Sequence, residues 1–521
     1  MPPGAIATPY GTEMVDEPRA GGEPASTPEH DGGLLEHDEL KHRASAGIFI
    51  IATRGLAILA IGFGGTIIVA RLLTPHDFGV IALGMVLVQV AALLSDGDLG
   101  AALIRRAEPP DIAELQALTA FQLVVTIGMV GVMVAVAPFL GEIGWVAALM
   151  VSSMPFVALQ FPGRILLERS LSYRPLAVIE VAQVLTYYTW AIAFVLAGFG
   201  VWGLASATVA MRVVSALLMA RISPVGLVRP RFSWSRIRPL MGFGVRFQAA
   251  SATWLIRDQG LNALIPVVAS VATLGLWTLA RRLLELPLLL FESLWRVSFP
   301  TMSQLLAAKE RASVGALLER SAGMTAVGSG VILTALAGGA LGLVPGLFGE
   351  QWAAASGVVP LACLALGIRG AVSAASIGYL YAVGDASAVL RASMFEAAVL
   401  LGVALPLLPA LDVTAVGVGW VAAAVVEVSI LARATHRWTS VRLLRPLAVP
   451  LVVGIAAGSL GLLVADAGGR DLASGVAGAL TSVICFQAGL LLLNRRLLFE
   501  TVRFAAASVR AASRSTPAGA A

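Results

Sequence analysis

The feature that most constrains this chain is a recurrence of apolar runs about twenty residues long, the length a helix needs to cross the hydrocarbon core of a bilayer. They cover 46–70, 78–95, 115–139, 144–163, 175–197, 200–220, 241–268, 274–300, 320–348, 354–382, 386–408, 413–432, 446–465 and 473–494, about fourteen predicted spans. Of the 521 residues, 58% are hydrophobic and 13% charged, which excludes a water-soluble globule. The expected fold is an all-α polytopic membrane protein of transporter size.

The ends are of different material. Residues 1–44 hold nine acids among Pro, Gly, Ser and Thr, and read as a disordered acidic tail. With no basic stretch leading into an apolar one, this segment is not expected to be a signal peptide. Residues 495–521 carry Arg495, Arg496, Arg503, Arg510 and Arg514, a basic tail suited to an anionic membrane surface. If the amino terminus is cytoplasmic, the links on that side hold seventeen Arg and Lys, and the opposite links only Arg71 and Arg470. This positive-inside bias places both termini in the cytoplasm and the chain in the cytoplasmic membrane. Every external link is short, and no cytoplasmic link could hold a nucleotide-binding domain, so energy is expected from a gradient or from the substrate.

Two stretches look alike: "ARLLTPHDFGVIALG" and "VVASVATLGLWTLA", in which Gly79 aligns with Gly275 at an offset of 196 residues. The offset is close to the length of six spans and joins segments of the same predicted direction. Two parallel six-helix lobes follow, related by an axis along the membrane normal, with two extra C-terminal helices. The expected division is an N-lobe over 45–221, a basic linker over 222–240, a C-lobe over 241–435 and an added helix pair over 446–494.

"ARLLTPHDFGVIAL", "SDGDLGAALIRR", "FSWSRIRPLMGFG", "LGLWTLARRLLELP" and "SFPTMSQL" occur in that order along residues 45–440. In them the chain resembles the polysaccharide transporter branch of the multidrug/oligosaccharidyl-lipid/polysaccharide flippase superfamily. The resemblance implies a flippase that turns undecaprenyl-diphosphate-linked oligosaccharide from the inner to the outer leaflet by alternating access, for capsule, O-antigen or similar polymer. It also implies membrane lipids and polysaccharide polymerase machinery as partners. The acidic tail and the extra helix pair depart from the pattern; the pair is similar to that of peptidoglycan-precursor flippases, which leaves the carried glycan open.

Charges inside the spans mark the candidate site, because an ionisable group at mid-bilayer costs about 2.5–3.5 kcal/mol on insertion scales. Arg246 and Arg257 stand eleven residues apart, about three turns, on one helix face, with Asp258 beside the second. Arg281, Glu285, Glu292 and Arg296 form a stripe broken by Pro287, with i,i+4 pairing of Arg281 to Glu285 and of Glu292 to Arg296 as the structural alternative. Arg54 lies two turns inside the first span, and Glu180, Arg212, Arg369, Glu396 and Glu427 add further charges. Guanidinium groups suit a diphosphate, since one planar fork bonds two anionic oxygens. The expected substrate site is therefore Arg54, Arg246, Arg257 and Arg281, with Asp258, Glu285 and Glu292 as counter-ions or coupling groups, and Trp254, Trp277 and Trp295 as faces for sugars. Interhelical hydrogen bonding is the expected role of Glu180, Glu396 and Glu427.

Other signals are bland. The glycines at 62–65 and 338–342 suit close helix packing, and "LLTPHDFG" a helix start capped by Asp77. The five histidines lie in the tail or near membrane faces, and Cys363 and Cys485 sit in apolar runs, so neither a metal nor another cofactor is expected, nor a nucleic acid partner. A cation-coupled small-molecule exporter of the same superfamily would need a carboxylate-centred pocket, a lipid-linked sugar polymerase a sizeable external loop. A non-transporting scaffold would leave the arginines dispensable. The expectation is a transporter and not an enzyme.

Overall fold

A computed structural model describes residues 53–96, 103, 108–170, 172–289, 291, 302, 306, 311–439 and 441–514. The described chain is nearly all helix. In order it forms α1 (Thr53–Leu72), α2 (Pro75–Asp96), α3 (Ile112–Val151), α4 (Met154–Arg169), α5 (Tyr173–Phe194) and α6 (Val201–Ile222). After a connecting segment come α7 (Trp234–Val268), α8 (Val271–Leu283), α9 (Arg311–Phe348), α10 (Val358–Ala382), α11 (Ala386–Leu411) and α12 (Thr414–Thr439). Then follow α13 (Arg445–Ala467), α14 (Leu472–Leu493) and α15 (Arg495–Arg514). The acidic tail lies outside the described residues. The basic C-terminal tail, expected only as a charged segment, is helical over Arg495–Arg514.

Among the described residues, eleven stretches are long and apolar enough to cross a membrane, against the fourteen expected from sequence. The predicted spans 115–139 and 144–163 fall within one stretch, Ile112–Arg169, but the chain folds back inside it. Gly141 has φ 60 and ψ −137, and a Cβ on Gly144 would lie 2.5 Å from the Ala137 carbonyl oxygen. In an unbroken helix those residues would be about 10 Å apart. The positive φ is what glycine allows at low cost, so α3 turns there and returns toward its starting end. The span predicted at 241–268 lies in α7, which is not among the eleven, and much of 274–300 lies outside the described residues.

Helix starts and stops follow local chemistry. Thr74 and Asp77 close the start of α2 reciprocally: Asp77 Oδ2 accepts from the Thr74 amide at 2.9 Å and hydroxyl at 2.8 Å, and the Thr74 hydroxyl accepts from the Asp77 amide. α8 leaves helical hydrogen bonding at Leu284, three residues before Pro287, whose ring nitrogen has no hydrogen to donate to the Leu283 carbonyl. Asp385 caps α11 by accepting from the Ala388 amide at 3.1 Å. The Ser387 hydroxyl above all, then the Trp438 indole, the Ala388 amide and Arg391, hold the Asp385 carboxyl below the ordinary carboxylate range.

The repeat seen in the sequence meets itself in space. A Cβ on Gly79 would overlap the Val271 carbonyl, and one on Gly275 would overlap the Pro75 carbonyl. Because Val271 stands to Gly275 as Pro75 stands to Gly79, the contact is reciprocal, as a two-fold relation between α1–α6 and α7–α12 requires. The join is reinforced at the same end of the bundle. Arg71 donates to the carbonyls of Leu347 at 2.8 Å and Gly346 at 2.5 Å, and the Gln351 amide and Trp352 indole donate to the Ala70 carbonyl at 3.0 and 2.8 Å. The largest buried cluster crosses this join, from Ala70 and Ala82 to Trp277, Phe348 and Trp352.

α13 and α14 pack on α9 through small residues. Gly338 and Gly342 of α9 lie against Ser482, Gly478 and Gly475 of α14, closely enough that a Cβ on either would overlap α14. With no water to drive helices together in lipid, such close backbone approach supplies the dispersion that holds the pair. Outward faces stay apolar, as Phe139 at 87% and Leu492 at 85% exposure illustrate. The protein is a multi-pass membrane protein.

Candidate functional site

Each charge on these helices must be neutralised or wetted, and three polar groupings inside the bundle do so. The first spans the two lobes, α1–α6 and α7–α12. Arg282 of α8 donates to Glu285 at 2.6 Å and to the Tyr188 hydroxyl of α5 at 3.1 Å. Tyr188 is 2.9 Å from the Thr66 hydroxyl of α1, which donates to the Gly62 carbonyl at 2.8 Å. Gly62 and Gly65 make room for this chain, since a methyl group on Gly65 would overlap the Tyr188 ring and one on Gly62 the Arg282 guanidinium. The expected partner of Glu285 was Arg281; the structure gives Arg282 instead. Neighbouring residues on a helix point about 100° apart, so Arg282 faces the other lobe while Arg281 turns into its own.

The second grouping is in the C-lobe. Arg369 of α10 pairs with Glu396 of α11 at 2.6 Å and with Glu427 of α12 at 3.2 Å, and Ser373 donates to Glu427 at 3.1 Å. These are the interhelical bonds expected of both glutamates. A cavity of about 160 Å³ lies alongside, lined by Arg281, Arg369, Glu396, Asn262, Trp277 and Trp420 among others. Trp277, expected as a cleft face for sugars, is buried in this lobe with its ring edge-on to Trp420, centroids 5.0 Å apart.

The third and roomiest lies in the N-lobe, where a cavity of about 680 Å³ is lined by all six helices. Ile58, Ala92, Leu93, Ser95, Gln122, Glu168, Glu180 and Met219 of its lining come from the parts of their helices nearer the Arg54 end, away from the join at Arg71. Its polar lining is Ser95, Gln122, Gln160, Arg164, Glu168, Glu180, Gln183 and Arg212. Arg164 bonds Glu168 at 2.7 Å, and Glu180 bonds Arg54 at 2.9 Å. The residues flanking Arg54 in sequence include no acid, and α5 brings Glu180 to it across the lobe. Arg212 has no ion pair among the described residues, and its buried Nε has no hydrogen-bond partner. Gln160 accepts from Ser215 at 2.8 Å and donates to the Arg212 carbonyl at 3.2 Å, which fixes α6 against α4. Gln122, 3% exposed, has an Oε1 with no partner.

Of the expected site residues, the structure therefore brings Arg54 to the N-lobe cavity's edge through Glu180, puts Glu285 at the lobe junction and turns Arg281 into the C-lobe. Arg246, Arg257 and Asp258 lie on the one helix α7, but their side chains, and that of Trp254, are outside the described residues. Glu292, Trp295 and Arg296 are outside them altogether. Sequence reasoning missed Arg282, Tyr188, Gln122, Gln160 and Gln183. The amides carried a signal, since an amide within an apolar span needs a partner as a charge does.

A family model described as polysaccharide biosynthesis protein matches residues 68–357. The succinoglycan biosynthesis transport protein ExoT of Rhizobium meliloti (strain 1021) is 28% identical over 341 residues, covering 63% of this chain and 67% of that protein. The lipopolysaccharide biosynthesis protein WzxC of Escherichia coli (strain K12) is 25% identical over 344 residues, covering 62% and 67%. Among solved structures, the lipid II flippase MurJ in an inward closed conformation superimposes with a TM-score of 0.65 at 13% identity, over 87% of this chain and 100% of that one. An inward-facing multidrug resistance transporter of the MATE family superimposes with a TM-score of 0.54 at 15% identity, over 77% and 98%. At these identities the two structures speak to the fold.

Proposed function

Because this chain belongs to the polysaccharide biosynthesis protein family, we propose that it is a flippase that carries a lipid-linked oligosaccharide across the cytoplasmic membrane for surface polysaccharide assembly. The names of the two relatives, one a succinoglycan transport protein and the other a lipopolysaccharide biosynthesis protein, support this. The observation that carries the reading is the contrast between the two ends of the bundle. The lobes are bonded together at the Arg71 end, and the guanidinium groups of Arg54, Arg164, Arg212 and Arg282 lie in the middle and toward the other end. By the positive-inside bias, the Arg71 end faces outward and both termini lie in the cytoplasm.

In this reading residues 45–221 and 241–435 are the two rocking lobes, joined by the basic linker 222–240, and 446–494 is a helix pair docked on the second. The diphosphate enters from the inner leaflet and meets Arg54, Arg246, Arg257 and Arg281, with Asp258, Glu285 and Glu292 as counter-ions. Arg54 exchanges Glu180 for the substrate. The chain's part is transport rather than bond making, with polymerase machinery as a downstream partner. Deleting the gene and extracting cell lipids tests it. Undecaprenyl-diphosphate oligosaccharide should accumulate on the inner leaflet with loss of surface polymer, and Arg54→Ala and Arg257→Ala should fail to restore it. Normal lipid pools and normal polymer would overturn the reading and favour a cation-coupled exporter.

A further inference from the structure

Counting charges around the N-lobe cavity leaves one over. Its two acids are already taken, Glu168 by Arg164 and Glu180 by Arg54, at 2.7 and 2.9 Å. Arg212 remains without an acid among the described residues, and the charged neighbour that acts on it is another cation, Arg164. In the same lining is an acceptor without a donor, the buried Oε1 of Gln122. Water could fill the space, since 680 Å³ holds about twenty molecules at roughly 30 Å³ each, but water brings Arg212 no counter-charge. A ligand that settles both groups must bring anionic oxygens for Arg212 and an O–H for Gln122. A sugar esterified to a diphosphate brings both. The cavity volume is also in the range of built ligand pockets, about 300–1,000 Å³.

We infer that the N-lobe cavity, and not only the space between the lobes, is a docking pocket for the glycosyl diphosphate head of the carried lipid. Arg212 binds the phosphate oxygens, and Gln122 and Gln183 accept and donate to hydroxyls of the first sugar. Gln160 acts through Arg212: its bonds to Ser215 and to the Arg212 carbonyl hold that turn of α6 in place. This rests on the flippase reading and assigns it a set of residues outside the arginines on α7 and α8. It also predicts where selectivity between glycans resides, in the amides of α3 and α5.

The test uses the full chain purified into nanodiscs and three probes: farnesyl diphosphate, a short-chain prenyl diphosphate bearing one N-acetylglucosamine, and inorganic pyrophosphate. Arg212→Gln should raise Kd for both prenyl diphosphates about tenfold or more, as loss of a charge-assisted hydrogen bond does, and Arg212→Lys should restore part of it. Gln122→Leu should raise Kd about three- to tenfold for the sugar-bearing probe alone, and without lowering the melting temperature, since the lost carbonyl has no partner to orphan. Pyrophosphate should compete poorly; competition equal to that of farnesyl diphosphate would mean a free-anion site and overturn the lipid-head assignment. Binding by the wild type that Arg212→Gln, Arg212→Lys and Gln122→Leu all leave unchanged would overturn the pocket and leave the flippase standing. Failure of the wild type to bind either prenyl diphosphate would take down the flippase reading and the pocket with it.

Discussion

Gly79→Ala places a methyl group where the Val271 carbonyl already is, at the centre of the join between the lobes. The obstruction is backbone, not the far end of a side chain, so it cannot rotate away. Ordinary contact requires the two helices to part by about 1 Å or more. Overpacking of this kind costs about 1–3 kcal/mol, and a rigid carbonyl puts it near the upper figure. If the cost falls on the state in which the Arg71 end is closed, the closed-to-open ratio drops by about 5- to 150-fold. Gly275→Ala meets the Pro75 carbonyl and should do the same. Since both methyl groups push the same two helices apart, the double variant should cost clearly less than the sum of the two.

The assay is labelling of Leu274→Cys, a fully buried position next to Gly275, with a membrane-impermeant maleimide added from outside, in a background of Cys363→Ala and Cys485→Ala. Labelling should rise sharply in either glycine variant. It should stay at the parent level in Gly64→Ala, where a Cβ has nothing within 4 Å. Parent-level labelling in both Gly79→Ala and Gly275→Ala, with normal expression, would refute the reasoning, because the reciprocal contact would then not hold the Arg71 end shut. Strict additivity in the double variant would refute its two-fold part.

Arg369→Met leaves Glu396 and Glu427 buried together and should cost about 3–5 kcal/mol, lowering the melting temperature in detergent, whereas adding Glu396→Gln and Glu427→Gln should recover most of the loss. Tyr188→Phe should cost only about 1 kcal/mol in the same melt, because Arg282 keeps Glu285 and Thr66 keeps the Gly62 carbonyl. A loss as large as that of Arg369→Met would show that the lobe junction carries more than these bonds. Asp385→Ala should remove a helix cap of about 1 kcal/mol at neutral pH. Its carboxyl is held below the ordinary range when folded, so the contribution is complete above the unfolded value near 3.9 and disappears as pH falls through the lower folded value. Wild-type and variant melting curves should converge below about pH 4, and a gap that widens on acidification would reverse the sign.

What could be read from the residues alone divides by the reach of the force involved. Helical spans were legible because the bilayer imposes one length on every crossing, and the two-fold relation because a backbone-to-backbone join demands glycine at both Gly79 and Gly275. Partners were not. Glu285 obeys the local i,i+4 rule with Arg281 on paper, yet the facing helices α1 and α5 select Arg282, which alone reaches Tyr188. The pairing of Arg54 leaves no local trace, because its acid, Glu180, lies four helices further along the chain. Gln122 looked like one more residue of an apolar span, and only the enclosure of its Oε1 shows it to be an acceptor awaiting a donor.

The same scaffold, used twice, buries its charge in opposite ways. In the C-lobe the guanidinium of Arg369 is held between two carboxylates beside a cavity of about 160 Å³. In the N-lobe the acids are individually paired, Arg212 is left over, and the space is about 680 Å³. A bundle that only needed to be stable would gain nothing from the second arrangement, since leaving a cation without a counter-charge is the costlier way to place an arginine inside it. A bundle that must admit and release an anion needs it, because a site already neutralised by its own acids has no free energy left to offer a diphosphate. On this argument the lobes divide the work: the C-lobe is the rigid partner, and the N-lobe takes the substrate head. An acid introduced into the same lining at a side-chain oxygen with no bond to lose, Gln122→Glu, should then abolish transport while raising the melting temperature. A variant more stable and equally active would show that the spare charge has no part in carrying the substrate.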